Sequence, residues 1–213
     1  MIYDISPPIS PDFQVWPGDT PPSREILMDM KKGDNVTVST LRTTVHLGSH
    51  VDAPSHYGID APSVEQWPVE RFLGPCQVVR VSPPHGTRMP PDILMVPVRA
   101  ERVLFATQTF SHPTPFRDDF AAFTVDLIKT LAEQGVTLVG TDAPSVDLFP
   151  SKDLEAHHAC LEHDVAILEG VVLDGVPEGV YELIALPLNL VGFEASPVRA
   201  LLREMTGPDD RRQ

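Results

Sequence analysis

The amino-acid sequence predicts an α/β fold, a single domain over residues 1–213 with a mixed β-sheet and flanking helices. Strand-like and helix-like segments alternate along the chain, and no repeat, linker or low-complexity stretch interrupts them. The composition is that of a globular protein, because 42% of the residues are hydrophobic and 22% are charged. A chain of this length buries a full core without disulfide bonds, so its two distant cysteines are not expected to form a disulfide framework.

The N-terminal part is expected to be mainly extended. Residues 1–24 contain six prolines, which lack a backbone donor and restrict the preceding residue, so they predict an arm or an edge strand. β-branched residues favour an extended chain over 36–52. A capping signature followed by a proline predicts a short or broken helix over 63–74. Further strands are predicted at 76–81, 102–107, 137–142, 165–174 and 182–190, with a loop at 108–123.

Three helices are predicted from their capping residues. The first begins after Thr124 as N-cap and ends before Gly135. The second follows Ser151 as N-cap and covers residues 152–163. The third is expected at the C-terminus, over 198–205, because a serine followed by a proline is a common helix start.

The charge balance bears on possible partners. Thirty acidic residues against 16 basic ones give a formal net charge of −14. Nucleic acid and anionic membranes require a basic surface, so neither is an expected partner. The N-terminus has no leader-like apolar segment, and no run of 18 apolar residues occurs, so a soluble, cytoplasmic protein is expected.

Histidine is concentrated in two short segments. In the first, HLGSHVDAPSH, the residues His46, His50, Asp52 and His56 all occupy even positions, so an extended chain places them on one side. Fully extended, the Cα atoms of His46 and His50 would be about 13 Å apart, which is too far for two imidazoles to share one ion easily. A bend at Gly48 is therefore expected. The alternative is a half-exposed strand whose polar face carries the histidines by chance.

The second half of the chain offers further candidate ligands. Glu169 lies in an apolar strand that is expected to be buried on both faces, where a bare carboxylate is costly unless it is protonated, paired or bound to a metal. An edge strand with Glu169 at its rim is the alternative. His157 and His158 lie on the preceding helix and point about 100° apart, so only one of them can face a site. The sequence alone does not choose between them.

The first histidine segment resembles the HxGTHxDxPxH signature of the metal-dependent cyclase-like hydrolases, with Ser49 in place of threonine. The stretches VWPGDTP at 15–21 and AHHA at 156–159 are similar to the formamidase branch of that family. The resemblance covers nearly the whole chain. It implies a swivelling β/β/α fold with a barrel-like core, usually in a homodimer. It also implies an amidohydrolase that converts N-formyl-L-kynurenine and water to L-kynurenine and formate.

The same resemblance implies a centre of two zinc ions per subunit. By motif position, His46, His50 and Asp52 would hold one zinc ion, and Asp52 would bridge to the second. His157 and Glu169 would complete the pair, with Glu169 touching both ions.

Two further roles follow from the resemblance. His56 would donate and accept the proton of the reaction, a role that suits a side chain with a pKa near operating pH. Trp16 would line the pocket for the aromatic ring of the substrate, although Trp16 could equally serve to pack the proline-rich arm onto the body.

Three other functions compete with this hypothesis. A serine hydrolase is disfavoured because the sequence has no G-x-S-x-G motif. A related hydrolase that acts on another aromatic amide or lactam, such as isatin, would carry the same signature. A non-catalytic metal-binding protein would use the same ligands without needing His56.

Overall fold

The structure is a computed structural model that describes residues 1–111 and 115–205. Its strands in chain order are β1 (Ile2–Asp4), β2 (Ser23–Met28), β3 (Val38–Arg42), β4 (His50–Asp52), β5 (Leu73–Arg80), β6 (Arg88–Met89), β7 (Arg102–Ala106), β8 (Ala122–Phe123), β9 (Leu138–Thr141), β10 (Ala166–Glu169), β11 (Gly179–Ile184), β12 (Ala195–Pro197) and β13 (Leu201–Glu204). The helices are α1 (Val125–Glu133) and α2 (Glu155–Glu162). No helix among the described residues is long and apolar enough to cross a membrane.

Nine strands form one mixed sheet in the order β1-β13-β11-β5-β7-β9-β10-β4-β12. The four central strands β5, β7, β9 and β10 run parallel, and the pairs toward both edges are antiparallel. β2 and β3 form a separate hairpin, and β6 pairs with β8. The predicted mixed sheet is confirmed, and so is the edge strand expected in the N-terminal arm, because β1 lies at one end of the sheet.

The sheet has a hydrophobic cluster on each face. Consecutive residues of a strand point to opposite faces, so Leu104 packs in one cluster and Phe105 in the other. Both helices cover the second face, to which α1 contributes Leu127, Ile128 and Leu131. The first cluster joins side chains from β4, β5, β7, β9, β10, β11 and β13 in one continuous core. The sheet therefore curls around this core, as expected for a barrel-like fold.

The predicted helix after Thr124 is confirmed. The Thr124 hydroxyl accepts a hydrogen bond from the Leu127 backbone N–H at 3.1 Å, and Gly135 has a φ of 84° just beyond the last turn. The second helix exists, but its predicted start is wrong, because α2 begins at Glu155 and not after Ser151. The N–H groups of Ala156 and His157 donate to the carboxylate of Asp147, which precedes the predicted cap Ser151.

The predicted C-terminal helix over 198–205 is wrong. Residues 201–204 of this region form β13, which lies between β1 and β11, and β12, which pairs with β4, ends just before the region at Pro197. Leu202 is fully buried opposite Leu183, and the exposed Arg203 donates a hydrogen bond to Glu182 at 2.6 Å. Pairing with two neighbouring strands thus overrides a locally helical sequence.

Other extended predictions are confirmed over part of their length. The chain predicted to be extended over 36–52 contains β3 and β4 with an irregular segment between them. The strand predicted at 165–174 shortens to β10, whereas the one predicted at 182–190 overlaps β11 only over 182–184, because β11 begins at Gly179 and ends at Ile184. Region 63–74 contains two short 3-10 turns, Val64–Gln66 and Val69–Phe72, as expected for a broken helix. Residues 112–114 of the predicted loop lie outside the described residues.

Candidate metal centre

The bend expected in the first histidine segment is present and brings its side chains together. Gly48 has a φ of 58°, and β4 begins only at His50. β4 pairs antiparallel with β10, so His50 lies directly opposite Glu169. Gly170, with a φ of 65°, allows this close approach, because a Cβ atom there would collide with the Gly48 carbonyl.

Asp52 is the centre of the cluster. Its side chain is only 1% exposed. His46 Nδ1 lies 3.0 Å and His50 Nε2 3.5 Å from Oδ1, and His157 Nε2 lies 3.4 Å from Oδ2. Neither oxygen accepts a hydrogen bond of ordinary geometry from the described residues. A buried carboxylate surrounded by imidazole nitrogens, without such a donor, has the environment of a metal ligand.

Glu169 faces the same nitrogens from β10. Its Oε2 lies 3.3 Å from His50 Nε2, and its Oε1 lies 3.7 Å from His157 Nε2. The Val146 backbone N–H also donates to Oε1 at 2.7 Å. All four residues of β10 are buried, so the prediction that Glu169 sits on a strand buried on both faces is confirmed.

The two carboxylates shift the protonation of the histidines. Burial lowers the pKa of His50, but Glu169 and Asp52 outweigh it and raise this pKa to about 9. Burial likewise opposes protonation of His157, and Asp147, Asp52 and Glu169 raise its pKa to about 10. Burial disfavours ionised Asp52, yet His46 and His157 hold its pKa well below the usual range. The cluster therefore attracts positive charge, which protons or metal cations can supply.

His157 and His158 point in different directions, as the helical geometry requires. His157 is 3% exposed and faces the cluster. His158 is exposed, and its Nε2 lies 3.2 Å from the Tyr57 carbonyl oxygen. The structure thus resolves the choice that the sequence left open, in favour of His157.

Asp147 is a functional residue that the sequence analysis missed. Its Oδ2 lies 2.8 Å from His157 Nδ1 and accepts the His157 backbone N–H at 3.1 Å. Arg88 donates to its Oδ1 at 2.7 Å. Burial opposes ionisation, but the bonds from His157 and Arg88 lower the pKa of Asp147 to about 2. A carboxylate at Nδ1 leaves Nε2 of His157 free to act as a ligand. An aspartate shortly before the histidine-containing helix was the available signal.

His56 lies at the mouth of the cluster, on a short turn after β4. Its ring centroid is 4.4 Å from that of His46 and 5.9 Å from that of His157. The ring is accessible to solvent on one side, and burial of its inner side, together with the neighbouring histidines, lowers its pKa. His46, Asp52 and His56 also have ligand atoms within 4.8 Å of one another. The geometry is therefore compatible with His56 as a proton carrier and with His56 as a metal ligand.

We call His46, His50, Asp52, His157 and Glu169 the histidine–carboxylate cluster. A cavity of about 570 Å³ opens above this cluster. One side of the cavity, here the aromatic wall, consists of Trp16, Phe110, Phe116 and Phe149, and the buried Phe120 packs behind them. The Trp16 ring centroid lies 4.9 Å from that of Phe149 and 5.6 Å from that of Phe116. Trp16 and His56 thus border the same cavity. The site combines cation ligands with a flat apolar surface.

Comparisons with known proteins identify relatives of the whole chain. Residues 3–148 match the model of a family described as putative cyclase. Along 96% of its length the chain is 43% identical to a kynurenine formamidase of Bordetella petrii, of which the match covers 98%.

Two solved structures share the fold. One, described as a potential metal-dependent hydrolase with cyclase activity, is 27% identical, with a TM-score of 0.83 and coverage of 97% of this chain and 99% of that one. Isatin hydrolase A from Labrenzia aggregata is 23% identical, with a TM-score of 0.79 and coverage of 97% and 94%, and shows likeness of fold alone. The family resemblance expected from the histidine signature is confirmed, and the chain belongs to the putative cyclase family of metal-dependent hydrolases.

Proposed function

We propose that this protein is a kynurenine formamidase, which hydrolyses N-formyl-L-kynurenine to L-kynurenine and formate. The observation that carries the proposal is the buried Asp52 carboxylate among three imidazoles, beneath a cavity with an aromatic wall. The 43% identity to a formamidase along nearly the whole chain supports the same reaction.

The metal is proposed to be zinc, two ions per subunit. His46, His50 and Asp52 would hold one ion, and His157 and Glu169 would complete the site of the other, because imidazole and carboxylate groups are usual zinc ligands. Two groups of residues have ligand atoms within 4.8 Å of one another, His46 with Asp52 and His56, and His50 with Asp52 and Glu169. Asp52 belongs to both groups, which supports its proposed bridging role. When bound, zinc supplies Lewis acidity, which makes water more acidic and a carbonyl carbon more electrophilic.

His56 is proposed to move the proton. Amide hydrolysis forms a bond from water oxygen to the formyl carbon, breaks the C–N bond and requires a proton on the departing aniline nitrogen. An imidazole that accepts a proton from the attacking water can return it to that nitrogen. The lowered pKa of His56 keeps the ring neutral, and therefore able to accept a proton, near neutral pH.

Trp16 is proposed to hold the aromatic ring of the substrate. Its indole already packs against Phe116 and Phe149, so it is fixed as part of the wall before a ligand binds. A prearranged flat surface orients the formanilide ring at little entropic cost.

The test is a metal analysis combined with substrate profiling of the purified, zinc-loaded protein. We expect close to two zinc ions per chain and turnover of N-formyl-L-kynurenine far above that of isatin. A preference for isatin would point to a lactam hydrolase, and bound metal without turnover of either compound would point to a non-catalytic metal-binding protein. We also propose that the protein forms a homodimer, as the family resemblance implies, and light scattering on the same preparation checks this.

A further inference from the structure

A tight turn joins the aromatic wall to a carboxylate. The Asp19 backbone N–H donates to the Trp16 carbonyl oxygen at 2.9 Å, and Gly18 between them has a φ of 102°, which glycine adopts readily. Both Trp16 and Asp19 line the cavity. The turn therefore presents an indole ring and a negative charge to the same space, three residues apart.

The turn is fixed to the histidine–carboxylate cluster through Thr44. The Thr44 hydroxyl donates to Asp19 Oδ2 at 3.2 Å and accepts the His46 backbone N–H at 3.3 Å. The Thr44 backbone N–H also donates to the Thr20 carbonyl oxygen at 2.9 Å. These bonds hold the Asp19 carboxylate half-buried at the edge of the cavity, in a defined place relative to His46.

The charge of Asp19 is not balanced by a basic side chain of the described residues. No lysine or arginine within the described part of the chain lines the cavity or forms an ion pair with Asp19. Of the other carboxylates that line the cavity among the described residues, Glu169 belongs to the cluster, Asp147 pairs with Arg88 and His157, and Glu194 has its Oε1 3.9 Å from His46 Nε2. Asp19 is thus the cavity carboxylate that faces neither the histidine–carboxylate cluster nor a cation.

We propose that Asp19 is a specificity-determining residue that binds the α-ammonium group of the substrate. The inference rests on the proposed formamidase function. N-formyl-L-kynurenine carries a formamide and, on the same ring, a short chain that ends in an α-amino acid, with an ammonium and a carboxylate group. When the substrate ring lies against Trp16 and the formamide lies over the cluster, the chain with the ammonium group extends toward Asp19 on the neighbouring turn. The cavity accordingly selects aromatic formamides whose side chain carries an ammonium group.

The experiment compares two substrates that differ only in the ammonium group. These are N-formyl-L-kynurenine and 4-(2-formamidophenyl)-4-oxobutanoate, its des-amino analogue, each measured with zinc-loaded wild type and the Asp19→Asn variant. Wild type should prefer the ammonium substrate by about tenfold in kcat/KM. In Asp19→Asn this ratio should fall to about one, through a higher KM for N-formyl-L-kynurenine. Asp12→Asn, which removes a charge from an exposed residue of the same arm, is the matched control and should keep the wild-type ratio.

Each outcome separates the inference from the proposed function. An equal loss on both substrates in Asp19→Asn, or an unchanged ratio, would overturn the role of Asp19 while leaving the formamidase reaction in place. Wild type that cleaves neither substrate would overturn the proposed function and the inference with it. If Asp19→Asn does not fold, product inhibition of wild type decides instead. L-kynurenine should then inhibit about tenfold more strongly than its des-amino analogue, and equal inhibition would refute the role of Asp19.

Discussion

The histidine–carboxylate cluster and the aromatic wall face the same cavity but are held by different kinds of structure. His50, Asp52 and Glu169 lie on β4 and β10, strands that pair with each other inside the sheet. All four residues of the aromatic wall lie in segments outside the helices and strands. Ligands of a metal must converge within tenths of an ångström, which a hydrogen-bonded sheet provides. An apolar surface for a ring tolerates looser positioning and can be supplied by loops.

Loss of the central carboxylate should have the largest effect. Asp52→Asn keeps the shape of the side chain but removes its charge, so we expect loss of bound zinc and a fall in kcat of at least about 10³-fold. Chelator treatment of wild type should have the same effect, and added zinc should reverse it. Metal content per chain and steady-state kinetics provide the measurement, with the exposed Asp174→Asn as control. A fully metallated, active Asp52→Asn would show that the cluster is not the catalytic centre.

A variant of His56 tests whether this side chain transfers protons or binds metal. His56→Gln should lower kcat by about 10²–10⁴-fold while zinc content stays at the wild-type value, because a proton carrier is not needed to hold the metal. His85→Gln, at an exposed histidine that pairs with Asp119, should change neither. Loss of zinc from His56→Gln would make His56 a ligand together with His46 and Asp52.

A variant of Asp147 tests how far zinc binding by the cluster depends on the carboxylate that hydrogen-bonds to His157. Asp147→Asn removes the charge that orients His157 and caps α2, so zinc affinity should fall by about 10–100-fold. Competition with a chromogenic chelator measures this affinity without reference to activity. Asp142→Asn is the control, as Asp142 is another buried carboxylate and hydrogen-bonds Thr107 and Gln108. Equal zinc affinity in both variants would limit Asp147 to a role in folding.

The aromatic wall should respond differently from the cluster. Trp16→Leu removes ring contacts with Phe116 and Phe149, so KM for N-formyl-L-kynurenine should rise about tenfold, with kcat within about twofold of wild type. Steady-state kinetics with the zinc-loaded variant separate the two constants. A fall in kcat as large as that of His56→Gln would show that Trp16 contributes to the chemical step and not to substrate binding alone.

The smallest effect is expected for Asp142, a buried carboxylate that belongs neither to the cluster nor to the wall. Asp142 follows β9 and accepts hydrogen bonds from the Thr107 hydroxyl at 2.5 Å and the Gln108 N–H at 2.9 Å. Burial raises its pKa to about 6, so the folded state keeps a proton that the unfolded state loses near pH 4.

Stability should therefore fall as pH rises from about 4 to about 6, by up to about 3 kcal/mol from this group. Asp142→Asn removes that part of the decline, which urea unfolding at several pH values detects. Identical pH profiles for the variant and wild type would show that Asp142 ionises normally in the folded state.

Local sequence was sufficient for features that depend on near neighbours. The Thr124 cap and Gly135 define α1, and Gly48 marks the bend before His50, since both depend on backbone preferences within a few residues. The start of α2 and the C-terminal segment were mispredicted for the opposite reason. Asp147 caps α2 from outside the helix, and Leu202 is buried between β1 and β11, strands that are distant from it in sequence.

The sequence by itself determined the family and the extended histidine segment. It also showed that a buried Glu169 needs a counter-charge. The tertiary structure decided which groups meet. It placed His50 opposite Glu169, turned His157 inward and His158 outward, and set Asp147 behind the His157 ring. The physical reason is that these contacts join segments far apart in the chain through strand pairing and helix packing, and a local pattern holds no information about the partner.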